Sequence, residues 1–148
     1  MDSWKIYGLT VVTLFVKMLA TVLVQGYGRY QHRGFANPED AVMFDKLFGK
    51  KPNAAQRSEL VDRAQSVLRN DGENIPIFLF IAVTYLQLGC WVQGFAIYLL
   101  LFVVGRIIHM VSYLRAIQPW RNLSYQLGLW VTFIMAGHIV WQSFFTAN

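Results

Sequence analysis

Charged side chains are scarce in this sequence. Only 14% of the 148 residues are Asp, Glu, Lys or Arg, whereas 55% are hydrophobic and the mean hydropathy is +0.38. Soluble domains carry roughly a quarter charged residues, so the composition argues against an ordinary soluble domain. It indicates a chain that is surrounded mostly by lipid, and we expect no nucleic-acid partner.

Cysteine is nearly absent, because Cys90 is the only one. A single thiol cannot form an internal disulfide or a CxxC metal pair. The first residues, MDSWKIYG, also lack the basic start and the small-residue cleavage site of a secretory signal. We therefore expect the first apolar stretch to be retained as a membrane-spanning helix.

The sequence contains several long apolar stretches. A membrane-spanning helix needs about 20 mostly apolar residues, and we predict spans at approximately 5–28, 60–89, 92–115 and 120–145, with a cytoplasmic loop at 29–58. The second apolar stretch is short, so its helix is expected to begin outside the bilayer. Short connections favour antiparallel neighbours. The predicted fold is all-α: one integral membrane domain built as an up-and-down four-helix bundle.

The ionisable residues are distributed unevenly along the chain. Apart from Asp2, Lys5 and Lys17, every Asp, Glu, Lys and Arg lies at 29–73 or 106–121. The positive-inside rule makes the side that carries them cytoplasmic. We expect a multi-pass protein with its polar site near the cytoplasmic face, in the endoplasmic reticulum membrane of a eukaryote or the inner membrane of a bacterium.

Arg106 indicates a candidate functional site. An ionisable residue inside a membrane span is energetically costly, so its presence there suggests a functional role. It lies about 13 Å along its helix from the predicted membrane edge, at about 1.5 Å per residue. His109 and Tyr113 follow at i+3 and i+7 on the same stripe. A polar pocket is favoured over the alternative that Arg106 snorkels to the interface. Lys17 is expected to be a buried cation, hydrogen-bonded to a neighbouring helix, with no chemical role.

The segment LRNDGENIPIF at 68–78 brings polar residues to the mouth of the second span. Arg69 and Glu73 are i and i+4 and share a face. An ion pair between them would explain that spacing, although not why the polarity continues into the span. Asp71 lies off this face and is expected only to solvate or cap its helix, while Pro76 is expected to kink the helix.

These groups have a common chemical character. Arginine binds a carboxylate in a bidentate fork, and a carboxylate such as Glu73 can hold an ammonium. The pocket therefore suits a small zwitterion with several carboxylates and an ammonium. A haem held by His109 and His138 is disfavoured because the two are predicted at different depths. A metal site lacks a second carboxylate or cysteine at ligand spacing.

Four segments resemble the MAPEG family, the membrane-associated proteins of eicosanoid and glutathione metabolism. They are FANPEDA at 35–41, RNDGENIPIFLF at 69–80, VGRIIHMVSYL at 104–114 and RNLSY at 121–125. They are most similar to the branch of microsomal glutathione transferase and microsomal prostaglandin E synthase. The resemblance implies a homotrimer of four-helix protomers, with glutathione as co-substrate between neighbouring subunits.

The resemblance also implies the roles of individual residues. Arg121 would be the catalytic arginine that stabilises the glutathione thiolate, with Asp40 close to it. Arg106 and Ser124 would belong to a structural polar pocket. The glutathione contacts would be made by Arg29, Arg69, Asn70, Glu73, His109, Tyr113, Arg121, Asn122 and Tyr125.

Two residues depart from the prostaglandin synthase pattern. Asn122 stands where that pattern has a serine, and Ser66 stands where it has a further arginine. Both departures favour a glutathione transferase that acts on hydrophobic electrophiles, with lipid-hydroperoxide peroxidase activity. The alternatives are a glutathione-dependent prostaglandin E synthase, which isomerises prostaglandin H, and a non-catalytic lipid-binding scaffold of the same family. A four-span subunit or transporter with a polar core is a further alternative.

Overall fold

A computed structural model describes residues 2–32, 35, 37–49 and 59–145, and the regular structure in these ranges is helical throughout. The all-α prediction is confirmed for them. Part of the predicted loop at 29–58 lies outside the described residues. The helices are α1 (Ser3–His32), α2 (Pro38–Phe48), α3 (Glu59–Gln87), α4 (Val92–Leu114) and α5 (Gln118–Phe145).

Three of the five helices have the length and apolar composition needed to cross a membrane. They are α1 over Ser3–Gln31, α4 over Val92–Leu114 and α5 over Gln118–Phe145. Helix α3 does not meet this standard because its first half carries Glu59, Asp62, Arg63, Arg69, Asp71 and Glu73. It continues through Pro76 to Gln87, so the proline does not end the helix. The kink predicted there stays a prediction.

Helix α2 begins where the sequence predicts a helix start. Asn37 is extended, with φ −111° and ψ 134°, and Pro38 occupies the first turn together with Asp40. Proline suits this position because its missing N–H has no helical partner, and an acid there complements the helix dipole. An aromatic contact links α2 to the end of α1: the ring centroids of Tyr30 in α1 and Phe44 in α2 are 6.2 Å apart.

The four long helices pack against one another around an aromatic core. Helix α1 contacts α3 and α4, and α5 contacts α4 and α3. Phe78 of α3 stacks on Phe102 of α4, with ring centroids 3.5 Å apart. Helix α5 lies close to α4 at Gly105, where an added Cβ would lie 3.3 Å from the Ser124 carbonyl oxygen. Apolar side chains such as Phe133 cover the outer surface, as lipid contact requires.

A buried ion pair joins α1 to α3. Lys17 Nζ donates to Asp71 Oδ2, and the two side chains are 3% and 0% exposed. The prediction of a buried, hydrogen-bonded Lys17 is confirmed, whereas the prediction that Asp71 only solvates or caps its helix is wrong. Asp71 lies four residues after Val67 and four before Ile75, both of which are buried. That spacing places its side chain on the face that α3 turns towards the other helices.

Substitution of Asp71 by Asn should strongly destabilise the folded protein. Removal of one partner of a buried ion pair leaves the other charge uncompensated and costs about 3–5 kcal/mol. We expect the apparent melting temperature of the detergent-solubilised protein to fall by several degrees, as measured by intrinsic fluorescence.

Two control variants separate this effect from a general loss of charge. Glu59→Gln removes one partner of the exposed Arg63–Glu59 pair and should change the melting temperature little. The double variant Lys17→Met/Asp71→Leu removes both buried charges and should recover most of the loss. A stable Asp71→Asn protein would contradict this account of the pair.

Candidate functional site

A polar cavity of about 290 Å³ opens on the side of α3. It is lined by Ser66, Arg69, Asn70, Glu73 and Tyr113. The first four lie at i, i+3, i+4 and i+7 on one face of α3, and Tyr113 comes from the last turn of α4. The structure thus brings together four of the residues singled out from the sequence, and it adds Ser66.

Arg69 and Glu73 do not form the ion pair that their spacing allows. Both side chains are exposed, and the ion pairs found among the described residues do not join them. A cation and an anion therefore face the same cavity with their charges available to a ligand. Since each is solvated, neither has to be released from an internal partner before it binds.

Arg106 lies inside the protein behind this cavity. Its side chain is 1% exposed, which is incompatible with snorkelling to the interface. Its Nη1 donates to Asn70 Oδ1 at 2.6 Å, and its guanidinium carbon lies 5.1 Å from the centroid of the Phe102 ring. Among the described residues that line the cavity, Asn70 is the one to which Arg106 is hydrogen-bonded.

Tyr113 links the cavity to a second group of residues on α4 and α5. The Arg121 guanidinium carbon lies 4.8 Å from the centroid of the Tyr113 ring, within cation–π range. The His109 ring is 5.6 Å from that of Tyr113 and 6.2 Å from that of Tyr125, between centroids. These residues form one cluster, of which Tyr113 is the member that lines the cavity.

Ser124 belongs to the packing of α5 and not to the cavity. It is buried, and its Oγ donates to the Trp120 carbonyl oxygen at 2.6 Å and to that of Arg121 at 3.1 Å. Its hydroxyl is therefore used within its own helix. This bond fixes the first turn of α5, from which Arg121 projects.

Three further residues singled out from the sequence, Arg29, Asp40 and Asn122, do not line the cavity. Asn122 is exposed on α5. Asp40 lies on α2, which has no Cα within 8 Å of a Cα of α5 among the described residues. Its Oδ2 accepts a hydrogen bond from Asn37 Nδ2 at 3.2 Å. Arg29 lies near the end of α1, and its Nε is buried without a partner in the described ranges.

Sequence reasoning missed the involvement of Asp71 in the polar interior. Its Oδ1 and the Nδ1 of His109 are buried without a hydrogen-bond partner in the part of the chain that the structure describes. The sequence signal was the spacing of apolar residues on α3, which assigns a core position to residue 71. The offset of Asp71 from Arg69 and Glu73 places it off the cavity face, but it does not by itself exclude a buried position.

A smaller cavity, of about 190 Å³, lies at the opposite end of the long helices. Cys90, Trp91, His138, Trp141 and Gln142 line it. Burial raises the pKa of the Cys90 thiol above its ordinary value, so this thiol is a poor nucleophile. His138 Nδ1 is 3.0 Å from the hydroxyl of Tyr85. His138 therefore lies near the start of α4, whereas His109 lies near its end.

Comparison with known proteins identifies the family. The model of the MAPEG family matches residues 7–141. The chain is 34% identical over 131 residues to prostaglandin E synthase from Canis lupus familiaris, covering 88% of this chain and 82% of that protein. It is 33% identical to the Homo sapiens prostaglandin E synthase over 131 residues, covering 88% and 83% of the two chains. It is 38% identical over 124 residues to microsomal glutathione S-transferase 1 from Homo sapiens, covering 81% and 77%. The chain belongs to the MAPEG family.

Proposed function

We propose that the protein is a membrane-bound glutathione transferase that conjugates glutathione to hydrophobic electrophiles. The observation that carries this proposal is the cavity on α3, in which Arg69 and Glu73 face a common space without pairing. A similar chain is named microsomal glutathione S-transferase 1, which supports glutathione as the co-substrate. The protein would also reduce lipid hydroperoxides, with the thiolate of bound glutathione as the nucleophile in both reactions.

The lining of the cavity matches the charges of glutathione, which carries two carboxylates, one ammonium and a thiol at neutral pH. Arg69 would bind a carboxylate in a bidentate fork, and Glu73 would hold the ammonium. Asn70 and Tyr113 would supply hydrogen bonds. The volume of about 290 Å³ lies near the lower end of the range for small-ligand pockets, which is roughly 300–1,000 Å³.

Arg121 would stabilise the glutathione sulfur as a thiolate. A free thiol has a pKa of about 8.5, and a nearby opposite charge lowers such a value by about 1–3 units. The thiolate would attack the electrophilic carbon of a substrate that arrives from the lipid. With a hydroperoxide, it would attack the terminal peroxide oxygen and release the alcohol. The sulfur would take up that oxygen as a sulfenic acid, and the thiol of a second glutathione would displace the hydroxyl to give glutathione disulfide and water.

We further propose that α1, α3, α4 and α5 all cross the membrane as a four-helix bundle. Helix α3 would enter the bilayer through its apolar half after Pro76, with the charged ends of the helices at the cytoplasmic face. Three copies would assemble, with a site between neighbouring copies. Arg29, Asp40 and Asn122 lie away from the cavity within one chain, and assembly would bring them to the site. The membrane would be that of the endoplasmic reticulum in a eukaryote or the inner membrane in a bacterium.

A glutathione-dependent prostaglandin E synthase is the second candidate. Its support is the 33–34% identity to prostaglandin E synthases, which extends over 88% of this chain. Ser66 lines the cavity at the position where the synthase pattern has an arginine, so this cavity carries less positive charge. A non-catalytic lipid-binding scaffold is a weaker candidate, because it has no use for Arg121 and the Arg69–Glu73 set.

Turnover by the purified protein distinguishes these candidates. We expect the detergent-solubilised enzyme to conjugate glutathione to a chromogenic aryl halide and to reduce a lipid hydroperoxide, each faster than it isomerises prostaglandin H. Isomerisation without conjugation or peroxide reduction would favour the synthase. Glutathione binding without any of the three reactions would favour the scaffold.

Arg121→Ala should lower conjugation at neutral pH by about tenfold or more. Loss of the guanidinium returns the thiol pKa towards about 8.5, and each pKa unit reduces the thiolate fraction about tenfold at pH values well below the pKa. The loss should therefore shrink as the pH rises towards 9. The measurement is kcat against pH at saturating glutathione.

Arg115→Ala is the matched control, because Arg115 is exposed at the end of α4 and lies outside the cavity. Its pH profile should follow that of the wild type. A wild-type profile for Arg121→Ala would contradict the assignment of the thiolate to Arg121.

Glu73→Gln should weaken glutathione binding by about tenfold with little change in kcat. The variant loses a charged acceptor for the ligand ammonium, and a hydrogen bond to a charged group contributes about 1.5–3 kcal/mol. Calorimetry with glutathione measures the loss. A ligand that lacks the amino group, glutaryl-Cys-Gly, should bind wild type and Glu73→Gln alike. If the variant loses affinity for both ligands equally, Glu73 does not hold the ammonium.

A further inference from the structure

A buried polar cluster lies behind the cavity and reaches it at one residue. Lys17 pairs with Asp71, and Arg106 Nη1 donates to Asn70 Oδ1 at 2.6 Å. Asp71 directly follows Asn70 in α3, so the two pairs are neighbours. Lys17 and Arg106 are cations and Asp71 is the only anion among these four residues, so they hold one positive charge in excess.

The guanidinium of Arg106 is held in a narrow space. Helix α5 covers the edge formed by Nε and Nη2, since a Cβ added at Gly128 would lie 3.4 Å from Nη2 and 3.6 Å from Nε. Neither of these nitrogens has a hydrogen-bond partner within the described ranges. The polar contact that orients Arg106 is therefore the bond from Nη1 to Asn70.

This bond fixes which end of the Asn70 amide can face a ligand. A guanidinium carries only hydrogen-bond donors, so the amide atom that faces Arg106 must be the oxygen. Among the described residues no protein acceptor takes the Asn70 Nδ2 hydrogens, and Nδ2 is not one of the buried atoms without a partner. Asn70 lines the cavity and thus offers it an N–H donor.

We propose that Arg106 is a positioning residue, which holds the Asn70 amide as a donor to a carboxylate or carbonyl oxygen of the bound ligand. Without Arg106 the amide could rotate and present its oxygen, which would repel such a group. The excess positive charge of the cluster adds attraction for a carboxylate, because charges act over longer distances in the protein interior than in water. The inference rests on the proposed function, in which the ligand is glutathione.

A double-mutant cycle tests the proposal. Glutathione affinity is measured by calorimetry for the wild type, Arg106→Met, Asn70→Ala and the double variant. Each single variant should lose about tenfold, the scale of one hydrogen bond to a charged group. Because Arg106 acts through Asn70, the double variant should bind no more than about threefold more weakly than Asn70→Ala alone. Fully additive losses would overturn the proposal.

Further variants separate positioning from stability. Arg106→Lys keeps the charge and one donor and should recover most of the affinity, whereas Arg115→Met, at the exposed end of α4, should bind as the wild type. At saturating glutathione, kcat of Arg106→Met should stay within about threefold of the wild type, since Arg106 does not touch the thiol. A larger fall in kcat than in affinity would contradict a positioning role.

Asn70→Asp keeps the proposal testable even if Arg106→Met fails to fold. The carboxylate retains an acceptor for Arg106 and nearly the same shape, but it has no N–H to donate to the ligand. We expect a loss of affinity of about tenfold or more in a protein with an undiminished melting temperature. An unchanged affinity would overturn the proposal. A wild-type protein that binds no glutathione would instead refute the proposed function.

Discussion

The buried ion pair between Lys17 and Asp71 couples the packing of α1 and α3 to the polar site on α3. It joins α1 to α3 in an interior that is otherwise mostly apolar. Removal of either partner would leave the other charge buried and unpaired, which is costly, so the pair favours the arrangement in which the two helices face each other at Lys17 and Asp71. Asn70 precedes Asp71 in the chain and lies at the edge of the cavity. The position of the cavity wall is therefore coupled to the position of the pair.

Helix α3 presents one face to the buried interior and another to the polar cavity. Its buried face carries Val67, Asp71 and Phe78 towards the other helices. An adjacent face carries the residues of the cavity, which a helix can present together only at spacings of three and four. Polar residues in the first half of α3 give this helix a composition less apolar than that of a membrane span. Arg69, Asn70 and Glu73 are among them, and they also line the cavity. Asp71 stabilises the packing of α3 through its ion pair, and Asn70, the residue before it, lines the cavity. A change at either residue can therefore affect both stability and binding.

Much of the fold and part of the site could be predicted from the sequence. Long apolar stretches predicted the helices, and Asn37-Pro38 predicted the start of α2, because these signals are local. Arg69, Asn70 and Glu73 share a cavity because helical spacing alone puts them on one face. The partner of Lys17 is 54 residues away along the chain, so only packing could reveal it.

The proposed function requires that the cavity and Arg121 bind glutathione as a thiolate. Titration of the thiol of enzyme-bound glutathione, followed by the ultraviolet absorbance of the thiolate, tests it most directly. Under the proposed function, we expect an apparent pKa clearly below the value of about 8.5 for a free thiol. Absence of bound glutathione, or a bound thiol that titrates as it does in free solution, would contradict it.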